Sequence, residues 1–302
     1  MIDSKTCIIC RKIKSKQDFN IEHIIPESIG NKKLIIHSVC KDCNSRLGKK
    51  VDYEITNNIV SELARFSHKI KGKSGKIPNP FRKGITANGR IVYCDEDIKP
   101  RFEPEVKFNE ETGMCNISAG SLEEAINIAN KKLKRLGKPI LTESQIDNLR
   151  DTVNIKKEQP EIKITTSVDF YKIQMAFIKI AYEFMHYIIG DKYLEDSHGK
   201  RLSKILYDYI YNDKKANLDG ILGQLPIKEC KRIINNFKFL GKEIFNNENI
   251  HYVQLLKNKD ISIVNIIIFS SFNYSVVVSN GNYEFVSNMY LINPISGEYI
   301  KG

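Results

Sequence analysis

CIIC at Cys7–Cys10, EHIIPESIG at Glu22–Gly30 and CKDCNSRLG at Cys40–Gly48 decide how the first part of this chain folds. Residues 1–50 are short, polar and punctuated, and a segment of that size needs a staple to hold together. Two Cys-x-x-Cys pairs, Cys7/Cys10 and Cys40/Cys43, supply the thiolates for a closed tetrahedral Zn²⁺ site. A closed site leaves no coordination position for substrate, so its expected role is structural: metal binding provides the folding free energy that the segment lacks. A zinc ribbon without catalysis fits the cysteines equally well. The residues between and after the pairs must decide.

Outward from this stretch the charge is uneven. Residues 1–83 hold 18 Lys/Arg against 8 Asp/Glu, whereas residues 84–302 hold 29 against 28. A net charge of +11 is therefore concentrated in the first quarter, the electrostatic footprint of a phosphate-backbone binder. A merely solubilising surface is the plainer alternative. With 41% apolar residues the chain can bury a core. Met1–Lys16 lacks the apolar run of a signal peptide. The apolar stretches around Ala176–Ile189 and Ile261–Phe269 fall short of the roughly 20 residues of a membrane span. A soluble cytoplasmic protein with no membrane partner is expected, with metal rather than disulfide chemistry at the paired cysteines.

Three regions are expected. Residues 1–71 form the first domain, ending in a helix over Val51–Lys71 with Val51, Ile55, Ile59, Leu63, Phe66 and Ile70 along one stripe. Residues 72–84 are a Gly/Pro-rich basic linker. Residues 85–302 form a mixed α+β domain with a central apolar helix and antiparallel strands. Within it, Asn88-Gly89 predicts a two-residue hairpin turn, and strands are expected over 101–108, 114–118 and 162–168. Ser121 and Thr142 open helices. Asp169–Ile189 is the most apolar helix, with Phe170, Ile173, Phe177, Ile180, Ala181, Phe184 and Ile188 inward. Helices follow over 200–212 and 226–240, then strands over 250–256, 261–270, 273–279 and 283–292, with Asn280-Gly281 as the last turn. Cys94, Cys115 and Cys230 read as buried small groups, and His186 as a core histidine.

Glu22-His23 followed by IIPES, and Cys40-x-x-Cys43 followed directly by Asn44, resemble the HNH endonuclease family in its zinc-containing branch. The likeness covers residues 5–53. It extends to junction resolvases of the endonuclease VII type, where an Asn also follows the last zinc cysteine. The resemblance implies a treble-clef-like ββα-metal fold and metal-dependent DNA hydrolysis. It makes His23 the general base, a role suited to imidazole near neutral pH. It makes Glu22 and Asn44 oxygen ligands of a catalytic Mg²⁺ or Mn²⁺.

The pattern departs from the family in two places. The middle Asn of many members is missing from residues 34–39, where His37 either orients His23 or is an exposed strand residue. A third metal ligand is expected one or two turns after Asn44. Asp52 has that offset, but it equally reads as a helix N-cap. Lys41, Arg46, Lys49 and Lys50 flank the site as candidate DNA contacts. Two function classes follow: a DNA endonuclease of a restriction or anti-phage kind, and a zinc-knuckle nucleic-acid-binding protein that does not cut. Nothing in the residues separates DNA from RNA as substrate. Residues 85–302 show no ligand motif and are left with recognition, regulation or self-association.

Overall fold

The computed structural model describes residues 4–72, 74–109, 114–156, 159–239, 249–258, 260–281, 283–284 and 288–302. It is a mixed α/β protein in two compact units. One unit comprises residues 1–78 together with 167–302, and the other residues 79–166. This grouping differs from the division expected after residue 71, for a physical reason. The N-terminal segment is too small to bury its own apolar side chains, and its core is continuous with that of the C-terminal third. Ile8, Ile24, Val39, Leu47 and Ile55 belong to the same buried cluster as Phe177, Phe184, Leu206, Val253 and Val276.

The first unit begins with the hairpin β1 (Ser4–Thr6) and β2 (Ile13–Ser15). Then come the short pair β3 (Glu22–His23) and β4 (Ile35–Ile36), with Glu22 opposite Ile36 and His23 opposite Ile35. Helix α1 (Lys41–Leu47) runs through a π-turn over Gly48–Asp52 into α2 (Tyr53–Asn57). A separate helix, α3, spans Ile59–Ser67. The single helix expected over 51–71 is thus interrupted. Asn58 is extended, and its side chain accepts from the amides of Val60 and Ser61, so it caps a new helix. The break turns Leu63 out of the stripe to the surface.

The second unit contains β5 (Lys83–Thr86), β6 (Ile91–Cys94), β7 (Pro100–Phe102), β8 (Glu105–Phe108) and β9 (Cys115–Ser118). Helices α4 (Leu122–Arg135) and α5 (Glu143–Thr152) and strand β10 (Ile162–Lys163) complete it. Among the described residues, β10-β5-β6-β7 form one sheet and β8-β9 a separate pair. The β5–β6 turn is one residue longer than expected. The Gly89 amide donates to the Thr86 carbonyl, and Gly89 alone in the turn has positive φ (+82°). That is a type I turn closed by a left-handed glycine. The strand expected over 101–108 is broken into β7 and β8. Cys115, expected to be buried, is exposed.

The chain returns to the first unit with α6 (Phe170–Ile189), α7 (Ser197–Asn212), β11 (Leu222–Gly223) and α8 (Ile227–Phe239). Strands β12 (His251–Asn258), β13 (Ile261–Ile268), β14 (Phe272–Ser279), β15 (Asn288–Ile292) and β16 (Tyr299–Lys301) follow. Helix α6 is capped by Asp169 and buries every residue from Met175 to His186, while its first residue, Phe170, is exposed rather than inward. The sheet order is β11-β14-β13-β12-β15-β16, antiparallel throughout. Asn280-Gly281 therefore does not close a hairpin, because β15 pairs with β12 and β16 and not with β14. Leu240 of the expected 226–240 helix, and residues 285–287 of the strand expected over 283–292, lie outside the described residues. No described helix is long and apolar enough to cross a membrane.

Side chains fasten the N-terminal segment to α6 and α7. Tyr182 donates its hydroxyl proton to the carbonyl of Ile8 at 2.6 Å. The Arg11 guanidinium donates to the carbonyl of Leu194 at 2.6 Å and to Ser203 Oγ at 3.0 Å. Gly30, at φ +107°, lies so close to the Pro294 backbone that a Cβ there would sit 2.2 Å from the Pro294 carbonyl oxygen. The Tyr182 and Arg11 contacts hold the β1–β2 turn, and the Gly30 contact fixes the loop that follows His23.

Candidate metal centre and catalytic cleft

The β1–β2 hairpin carries Cys7 and Cys10 in its turn, while Cys40 caps α1 and Cys43 lies in its first turn. A bridge between Phe19 and Cys40 brings the two knuckles together. The four sulfur atoms lie within 4.8 Å of one another. That spacing and donor set fit a tetrahedral zinc with Zn–S bonds of about 2.3 Å. Hydrogen bonds support the cluster. The Cys40 amide donates to Cys7 Sγ at 3.3 Å, Lys14 Nζ donates to Cys40 Sγ at 3.2 Å, and the Tyr211 hydroxyl lies 3.4 Å from Cys43 Sγ. Crowding splits the thiols. Hydrogen bonding from Cys43 holds Cys7 down to about 5, while sharing that contact and burial push Cys43 up. Four thiolates together require a cation, as zinc would provide.

On the other side of α1 a cleft of about 350 Å³ opens. Glu22, His23, Asn44 and Asp52 line it together, with Glu27, Lys49 and Tyr53 around the rim. The β3–β4 pair sets Glu22 and His23, and α1 sets Asn44. Its Nδ2 donates to the carbonyl of Ile21 at 2.8 Å, tying the helix to the strand. Asp52 is not an N-cap: its backbone is helical and its side chain makes no capping bond. The π-turn instead presents its carboxylate to the cleft, a use common for such bulges at functional sites.

The remaining candidates are placed differently. His37 is exposed and does not line the cleft, one residue beyond β4. Lys41 is exposed. Arg46 pairs with Asp42 at 3.1 Å and lies over the Tyr211 ring, and Lys50 pairs with Asp213 at 2.6 Å. A larger cavity of about 520 Å³ is lined by Arg11, Lys200 and Lys204 with a single carboxylate, Glu195, and the hydroxyls of Thr6, Ser203 and Tyr207, a set dominated by cations. Among the described residues, the cysteines are the one cluster of three or more His, Cys, Asp or Glu ligand atoms. An oxygen site built partly from Asn44 and waters falls outside that pattern.

Two residues at the site escaped the sequence reading. Lys179 of α6 is fully buried, and its Nζ lies 2.5 Å from Glu22 Oε1, 3.4 Å from Asp52 Oδ1 and 3.3 Å from Glu183 Oε2. Burial disfavours its charge, but the three carboxylates outweigh burial and raise its pKa. Burial pushes Glu183 well above the usual carboxylate range, against the pull of Lys179. The available signal was the Lys179/Glu183 pair, four residues apart within the apolar run from Met175 to Met185.

Residues 7–60 match the profile of the HNH endonuclease family. The match contains all four zinc-candidate cysteines and all four cleft residues Glu22, His23, Asn44 and Asp52. No curated protein and no solved structure matched the chain.

Proposed function

We propose, from the match of residues 7–60 to the HNH endonuclease family, that this protein is a metal-dependent endonuclease that hydrolyses DNA phosphodiester bonds. The observation that carries the reading is the convergence of Glu22, His23, Asn44 and Asp52 on one cleft beside the four-cysteine cluster. The succession β3, β4, α1 supports a ββα-metal arrangement. Cys7, Cys10, Cys40 and Cys43 would hold a structural Zn²⁺ that fixes α1 against the strands.

Glu22, Asn44 and Asp52 offer two carboxylates and an amide oxygen, a donor set suited to Mg²⁺ or Mn²⁺ with several waters retained. Such an ion, when bound, neutralises charge developing on the phosphate and the leaving 3′ oxygen. His23 accepts the proton of the attacking water. Its place on the short strand β3, beside Glu22, keeps base and ligand in fixed register. Lys49 at the rim, with Lys41, Arg46 and Lys50 nearby, would contact phosphates. Because Arg46 and Lys50 already hold acidic partners, their contacts exchange one ion pair for another. The setting we propose is a cytoplasmic restriction or anti-phage nuclease, by analogy with HNH nucleases bearing long appended regions.

The test is nicking of supercoiled plasmid with Mg²⁺ or Mn²⁺ and with EDTA. Cleavage dependent on the divalent ion, weakened by Asn44→Ala and partly restored by more metal, is expected. DNA binding without nicking under every metal would instead establish the zinc-knuckle binding module.

A further inference from the structure

Lys179 lies in the most apolar helix of the chain, at a depth where an unpaired charge is not tolerated. Its ammonium is held by cleft residues, by its own helix and by the carbonyl oxygen of Ile24 at 3.4 Å. Nζ reaches Glu22 and Asp52, donates to the carbonyl oxygen of His23 at 2.7 Å, and meets Glu183 one turn along α6. Glu22 and Asp52 thus face two ways: Lys179 lies behind them, and the cleft in front.

We propose that Lys179 is a positioning residue of this site: its ammonium holds the Glu22 and Asp52 carboxylates and the His23 backbone in place, and it shares those carboxylates with any divalent cation that enters the cleft. The proposal rests on the nuclease reading of the cleft. Two carboxylates from different segments, one on a strand and one on a π-turn, would repel and splay without a cation between them. Lys179 supplies that cation permanently. A divalent ion bound to the same pair is repelled by the ammonium, so the resident charge lowers affinity for the ion while preserving ligand geometry. It follows that residues 7–60 do not contain the whole site, and that helix α6 contributes its back wall.

The experiment uses the full chain with Lys179→Met, which keeps length and removes charge. A second variant, Lys179→Met/Glu183→Gln, guards against misfolding, because the single change leaves Glu183 buried without its cation. Zinc content is measured first. Mn²⁺ affinity is then measured without DNA from the paramagnetic signal of free Mn²⁺, and plasmid nicking is measured at saturating Mn²⁺. The expected result is one zinc per chain, Mn²⁺ binding at least threefold tighter than wild type, and a saturating nicking rate at least tenfold lower. A folded, zinc-replete variant with unchanged or weaker Mn²⁺ binding, or with the wild-type saturating rate, overturns the proposal. So does failure of wild type and variants alike to bind Mn²⁺. If wild type nicks no DNA, the nuclease reading fails, yet the Mn²⁺ comparison still decides the role of Lys179.

Discussion

His251 Nε2 donates to the carbonyl oxygen of Ile29 at 2.7 Å, while its Nδ1 accepts from the Phe269 amide at 3.1 Å. Both ring nitrogens are used by a neutral imidazole, and the residue is fully buried. A strand of the large sheet thereby holds the loop that follows His23. Burial lowers the His251 pKa from 6.5 to about 4. Between those values the unfolded chain binds a proton that the folded chain refuses. The stability this contributes is therefore present above pH 6.5 and is lost as pH falls towards 4. The full effect is about 3 kcal/mol. Urea melts across that window should show a shallower pH dependence for His251→Asn than for wild type. Equal slopes would mean that His251 is not held neutral.

Gly30 meets the Pro294 backbone with no room for a side chain, at a φ that L-residues rarely adopt. Gly30→Ala should cost about 2 kcal/mol through strain and overpacking. A lowered melting temperature with zinc retained is the expected outcome, and an unchanged one would show that the two loops do not touch.

Zinc removal should unfold more than the N-terminal segment, because the cluster and the C-terminal helices share one core. Small zinc modules draw roughly 10–16 kcal/mol of apparent binding free energy from the metal at neutral pH. Cys40→Ser, or a strong chelator, should abolish stoichiometric zinc and reduce the helix signal of the whole protein. Conversely, a fragment ending at Lys83 should not fold when zinc is supplied, since it lacks Tyr182, Leu194 and Ser203, which receive Ile8 and Arg11. A folded, zinc-loaded fragment would restore the independent N-terminal domain expected from sequence.

The candidate site was legible in sequence where it is local. The cysteine pairs, Glu22-His23 and Asn44 lie within one short segment whose spacing encodes the geometry. Asp52 was visible as a candidate, but only the π-turn decides between cap and cleft. Lys179 and Glu183 were hidden because their roles depend on which helix packs behind the cleft, and helical periodicity carries no information on that partner. The sheet order was equally hidden. Asn280-Gly281 looks like a hairpin turn, yet β12 competes successfully for β15. The expected boundary after residue 71 differs from the grouping into compact units for a related reason. A basic Gly/Pro-rich stretch marks an insertion of residues 79–166 as readily as it marks the end of a domain.

The claim that His23 is the general base of a metal-dependent nuclease is tested most directly by His23→Ala. The side chain is only partly buried and lines the cleft, so its loss can be separated from folding. Zinc content, melting temperature and DNA binding are measured beside nicking across a Mg²⁺ and Mn²⁺ series. The account predicts that the first three stay at wild-type values while nicking falls about 10²–10⁴-fold. Raising the metal concentration should not restore the rate, because more metal does not replace a proton acceptor. Wild-type nicking by a zinc-replete His23→Ala protein would contradict the account.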